Sequence, residues 1–145
     1  MKRQHVIIAI DFDGTIVEHK YPEIGAPIKH ALETIKELQE RGHLIILWTM
    51  RSGKELAEAV EYLQKNGVQP WGINQNPEQD WSTSPKAYAQ IYIDDAALGC
   101  PLEQKGFDRP MVYWPAVRKH LQYLNLLANS SGQDGADKAP GKSGV

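Results

Sequence analysis

At 145 residues, 41% apolar and 23% charged, the chain has the size and make-up of one globular domain able to bury a core. A formal net charge of −2 gives no signal for a nucleic-acid or polybasic membrane partner, and the single cysteine, Cys100, excludes an internal disulfide and a cysteine-rich metal centre. The apolar run behind Met1-Lys2-Arg3 stops at Asp11, too short for a signal-peptide core or a membrane span, so a cytoplasmic protein without a membrane partner is expected.

Val6-Ile7-Ile8-Ala9-Ile10 is an unbroken, mostly β-branched run, the pattern of a strand buried on both faces. It delivers Asp11-Phe12-Asp13-Gly14-Thr15 at its carboxyl end. Residues 16 to 26, with Pro22 and Gly25, read as a flap over that end. The spacing of Ile28, Ala31, Leu32, Ile35 and Leu38 predicts a helix over about 27–41, with Pro27 at its first position and Gly42 just past its end. His43 to Trp48 is a second buried strand, ending at Thr49. Ser52 and Glu55 match a capping box, opening a helix with Leu56, Ala59, Val60 and Leu63 inward and Gly67 at its close.

Gln69 to Ile73 is a short third strand, and residues 74–85 have the composition of a long functional loop. Gln90 to Ile93 forms the fourth strand and ends at Asp94-Asp95. Residues 96–110 read as irregular, Met111 to Tyr113 as a fifth, edge strand, and Pro115 as the start of a last helix with Val117, Leu121, Leu124 and Leu127 inward. The expected organisation is one catalytic domain over 1–128 and a tail over 129–145 that lacks the apolar residues to order itself.

Strands alternating with helices imply a doubly wound, Rossmann-like, mostly parallel sheet of about five strands with flanking helices. In such a sheet the carboxyl ends of the strands share one edge, where ligands bind. Asp11, Thr49 and Asp94 each follow an apolar strand and should meet there. Clustered carboxylates without cysteine or a paired-histidine motif suit a hard cation such as Mg²⁺, which takes one or two carboxylates and keeps other positions for water and phosphate oxygens. With Lys86, the Thr49 hydroxyl and the backbone N–H groups of Gly14 and Thr15, the set is a receptor for a tetrahedral dianion, as phosphoryl transfer requires.

Asp-Phe-Asp-Gly-Thr after an apolar strand, a threonine ending the next strand, a lysine, and Asp-Asp after a later strand resemble, in order, the four motifs of the haloacid dehalogenase-like (HAD) hydrolases. The resemblance runs from residue 6 to about 95 and implies a phosphatase acting through an aspartyl-phosphate. It implies Asp11 as nucleophile, Asp13 as general acid and base, and Thr49 with the Met50 backbone as phosphate ligands. Lys86 would steady Asp11 and the transferred charge, with Lys54 as second candidate. Mg²⁺ would be held by Asp11, Asp94 and the Asp13 carbonyl, with Asp95 in support. Arg51 reads equally as a contact to a substrate anion or as an exposed, solvated cation, and Trp81 and Tyr88 are better read as packing than as a stacking platform. The five histidines show no ligand spacing.

The spans after the first and second motifs are too short for a cap domain, so a small cap-less member is implied. A second subunit or a bulky phosphorylated substrate is then expected to shield the open site. Three alternatives stand beside the phosphatase. A phosphotransferase would differ in the acceptor of the second step. A receiver-like module needs an acceptor Asp after the third strand, where Ile73-Asn74 stands instead. A catalytically idle phosphoryl-binding module fits poorly with an intact set of Asp11, Asp13, Thr49 and Asp94.

Overall fold

The computed structural model describes residues 5–104 and 109–129. Its main sheet is parallel and contains β1 (Ile7–Ile10), β2 (Leu44–Leu47), β3 (Gly72–Ile73) and β4 (Ile91–Ile93), in the order β3-β2-β1-β4. Among the described residues three helices flank it: α1 (Ala31–Glu40), α2 (Gly53–Lys65) and α3 (Trp114–Tyr123). A separate antiparallel pair joins β5 (Leu102–Glu103) to β6 (Met111–Val112). The fold is Rossmann-like α/β. No helix among the described residues is long and apolar enough to cross a membrane.

The register aligns Ile8 with Ile45 and Ile91, and Ile10 with Leu47 and Ile93. Alternation then divides β1 between two cores. Ile8 and Ile10 face the larger one, with Ile45, Leu47 and Ile93 and the inward residues of all three helices, among them Ile35, Leu63 and Leu121. Ala9 faces the other with Ile46, and there the cover is Ala87 and Ala89 from the segment before β4. That differs from the expected double winding. Pro77 and Pro85 keep the 74–85 segment from continuing as a helix, and alanines on both sides let it lie close to the sheet.

Several sequence expectations are corrected. Helix α1 begins at Ala31, not near Pro27, because residues 26–28 pair with 16–18: Val17 bridges Pro27, Glu18 N–H donates to the Ala26 carbonyl at 2.8 Å, and Ile28 N–H donates to Ile16 at 2.8 Å. The same bonds make the expected flap a closed loop. Ser52 is the N-cap of α2 but makes no side-chain cap bond, so the capping box does not form. Met111–Val112 is not a fifth strand of the main sheet; its partner is Leu102–Glu103, inside the stretch expected to be irregular. Leu124 is half exposed because α3 stops at Tyr123, and Leu126 takes the buried place beside Leu127. The tail from residue 130 onward lies outside the described residues.

Candidate active site

From β1 the chain adds β2 and β3 on one side, then returns to place β4 on the other side of β1. The strand order therefore reverses between β1 and β4, and the crevice at such a switch point, beyond the carboxyl ends, is the usual ligand site of an open α/β sheet. Here it holds Asp11 and Asp94. A cavity of about 800 Å³ opens at this place, lined by Asp11, Asp13, Thr49, Met50, Arg51, Asp94 and Asp95 and also by His19, Lys20, Tyr21 and Arg109.

The turn after β1 is fixed from several directions. Asp11 N–H continues the ladder to Ile93 at 3.0 Å, and the Phe12 carbonyl accepts from the amides of Thr15, Ile16 and Val17. Gly14 sits at φ +80°, and a Cβ there would collide with the His19 ring and the Asp95 carboxylate, so only glycine fits. The Gly14 amide donates to Val17 at 2.7 Å and the Thr15 amide to Phe12 at 3.2 Å, so the two N–H groups expected to receive phosphate are committed to the turn. Thr15 contributes instead through its buried hydroxyl, which donates to Asp11 Oδ2 at 2.9 Å and lies 3.4 Å from Asp95 Oδ1, while accepting from the Asp95 amide at 3.2 Å.

Asp11, Asp94 and Asp95 each bring one carboxylate oxygen within 4.8 Å of the others. Burial, before any other cause, pushes the Asp11 carboxyl from 3.8 up to about 8; a hydrogen bond shared with Asp95 and the charge of Asp94 add to it, while the Thr15 hydroxyl and Phe12 amide act against it. Asp94 is raised chiefly by burial and further by Asp95, against the Ala96 amide, which donates to Asp94 Oδ1 at 2.8 Å. Partly buried carboxylates that repel one another in this way suit a small divalent cation, whose charge would remove the repulsion. The described donor set is all oxygen, which fits a hard ion rather than a thiophilic one.

Thr49 lies two residues beyond the end of β2 and borders the cavity. Its amide donates to Asn74 Oδ1 at 2.8 Å, and its hydroxyl accepts from the Arg51 amide at 3.0 Å. Asn74, in the left-handed region at φ 54°, thus ties the end of β3 to the end of β2. Met50 is 96% exposed and borders the cavity.

The lysines fall differently. Lys86 is exposed and does not line the cavity; its ammonium lies 5.6 Å from the centroid of the Tyr92 ring. Tyr92 packs on the same sheet face as Ala9, the face to which alternation also assigns Asp11. Lys86 is not among the groups that shift Asp11. Lys54 is solvent-facing on α2, 4.0 Å from Glu58. Trp81 and Tyr88 pack edge-to-face on each other with centroids 5.7 Å apart.

Two residues matter more than the sequence indicates. Arg51 is only 2% exposed and grips Asp13 through two hydrogen bonds of 2.8 Å. His19, one of the histidines given no role, places Nε2 3.2 Å from Asp95 Oδ2 and 3.2 Å from the Pro110 carbonyl. Neither shows a local signal, because each partner lies far along the chain.

No family model matches the chain, and no curated protein matches it. Among solved structures, it is similar to a conserved protein of Bacteroides thetaiotaomicron, with 38% sequence identity and a TM-score of 0.68, over 81% of this chain and 90% of that one. At that identity and coverage, the chain belongs to the same family as this conserved Bacteroides thetaiotaomicron protein.

Proposed function

We propose that this chain is a cytoplasmic, Mg²⁺-dependent phosphate monoester hydrolase of the cap-less HAD type, acting through an aspartyl-phosphate on Asp11. The observation that carries this reading is the convergence of Asp11, Asp13, Thr49, Asp94 and Asp95 around one cavity at the switch point between β1 and β4.

In the first step an Asp11 carboxylate oxygen attacks phosphorus, the ester P–O bond breaks, and Asp13 gives its proton to the departing oxygen. In the second, water attacks the same phosphorus, Asp13 takes the proton, and the bond to Asp11 breaks. The Thr49 hydroxyl and the Met50 backbone hold the phosphoryl oxygens. Mg²⁺, held by Asp11, Asp94 and the main-chain carbonyl of Asp13, would supply charge to offset the phosphoryl group and the carboxylates. Thr15 orients Asp11 and Asp95 through its hydroxyl. Lys86, whose ammonium rests on Tyr92, is the lysine assigned to such a site by motif order, whereas Lys20 is the lysine that lines the cavity.

A panel of phosphate esters assayed with and without Mg²⁺ tests the reading; no Mg²⁺-dependent phosphate release from any ester would refute it. The open cavity also leads us to expect a second copy of the chain, or a bulky substrate, as its cover. Sedimentation at assay concentration decides the first, and comparison of large with small esters the second.

A further inference from the structure

A guanidinium has five N–H groups, and in Arg51 each finds an acceptor. Nε donates to Asp13 Oδ2 at 2.8 Å and Nη2 to Asp13 Oδ1 at 2.8 Å. Nη2 also donates to the Glu23 carbonyl at 2.7 Å, and Nη1 to the carbonyls of Pro22 at 3.1 Å and Glu55 at 3.3 Å. The same group lies 5.1 Å from the ring centroids of both Phe12 and Tyr21. One buried side chain therefore joins the carboxylate of the catalytic turn, two carbonyls of the flap and the first turn of α2.

Such a residue is poorly suited to an anion contact, since no donor is left for a substrate. A lysine could not replace it, because a point-charge ammonium lacks the planar fork that meets both carboxylate oxygens at once. Asp13 is the residue of the proposed pair that must reach the leaving oxygen, and proton transfer is sensitive to small displacements of the acid. The flap, for its part, borders the cavity through Lys20 and Tyr21.

We infer that Arg51 is a positioning residue that holds the Asp13 carboxylate and the flap as one unit, so that protonation of the leaving group, for which one Asp13 oxygen exchanges its Arg51 contact for the proton while the other keeps it, requires the flap in its closed place. The catalytic half of this inference rests on the phosphatase reading; the mechanical half does not.

The test uses Arg51→Lys, with Arg51→Met and Asp13→Ala beside it, in the full chain. In Arg51→Lys, kcat on an alkyl phosphate should fall about 100-fold with KM little changed, and on an aryl phosphate with a good leaving group less than about tenfold. Adding Asp13→Asn to Arg51→Lys should cost no more than Asp13→Asn alone, since the two act as a unit. Amide exchange across residues 19–26 should quicken in Arg51→Lys and in Asp13→Ala. A rise in KM with both esters affected equally would assign Arg51 to substrate binding, and equal losses in kcat would reduce it to a fold-stabilising role; either overturns the catalytic half. Unchanged flap exchange in both Arg51→Lys and Asp13→Ala would overturn the mechanical half, and Asp13→Ala carries that test even where the arginine variants fail to fold. A wild-type chain inert on every ester would refute the phosphatase reading, and with it the catalytic half, while the exchange data still decide the coupling.

Discussion

The indole N–H of Trp114 donates to the main-chain carbonyl of Thr15 at 2.7 Å, across 99 residues of sequence. Trp114 is fully buried at the start of α3, and next to it Val112 N–H donates to the Gly14 carbonyl at 3.0 Å. The turn that carries Asp11 and Asp13 is thus held from beneath by the last part of the fold. Trp114→Phe removes the donor and part of the ring, leaving a buried carbonyl without its partner and a cavity. It should cost about 2–3 kcal/mol of stability in urea denaturation. A loss below about 0.5 kcal/mol would show that the turn does not depend on this anchor.

Asp11 makes the fold less stable where it is charged. Its carboxyl titrates near 8 in the folded protein instead of 3.8, so the folded state keeps a proton that the unfolded chain has released, and stability falls as pH rises between these values. Asparagine has a similar shape and does not titrate. In metal-free protein, Asp11→Asn should match wild type below about pH 4 and be more stable above about pH 8, by an amount on the order of 2 kcal/mol. Thermal denaturation across that range is the measurement. A difference independent of pH would contradict the burial argument.

For Asp13 the expected signature is chemical. Asp13→Asn should reduce turnover of alkyl phosphates by about 100-fold or more and spare esters whose leaving group needs no proton. Steady-state rates on esters graded by leaving-group pKa give the slope. Equal losses along the series would remove Asp13 from the proton transfer.

The carboxylate cluster predicts where Mg²⁺ binds. Calorimetric titration of wild type should show one Mg²⁺ site, weakened by about 100-fold in Asp94→Asn and less in Asp95→Asn, whose carboxylate is also engaged by Thr15 and His19. Ca²⁺, with its larger and looser oxygen shell, should bind without restoring activity to chelated protein. Undiminished Mg²⁺ binding in Asp94→Asn would place the ion elsewhere.

What could be read from the sequence was local. Ile7–Ile10 and Leu44–Leu47 announce buried parallel strands by composition alone, and Asp11, Thr49 and Asp94 follow because a strand end fixes where the next residue lies. What could not be read depends on partners distant along the chain. Arg51 is followed by a plausible helix start and has the look of a solvated cation; its burial comes from Asp13, 38 residues earlier. Pro27 suits a helix start, but the strand-like pairing of Val17 with Pro27 overrides that preference. The Gly14 and Thr15 amides look free in a motif and are closed by their own turn. Two-residue strands such as Leu102–Glu103 carry too little pattern to see without Met111–Val112 beside them.

The nucleophilic role of Asp11 is the centre of the account, and trapping the phosphoenzyme tests it most directly. Protein mixed with Mg²⁺ and an aryl phosphate, quenched in acid within a turnover and digested for tandem mass spectrometry, should carry a phosphoryl group on Asp11. The label should be absent from Asp11→Asn and should persist longer in Asp13→Asn, where the water-activating base of the second step is lost. A phosphoryl group on another residue, or rapid turnover with Asp11→Asn, would contradict the mechanism.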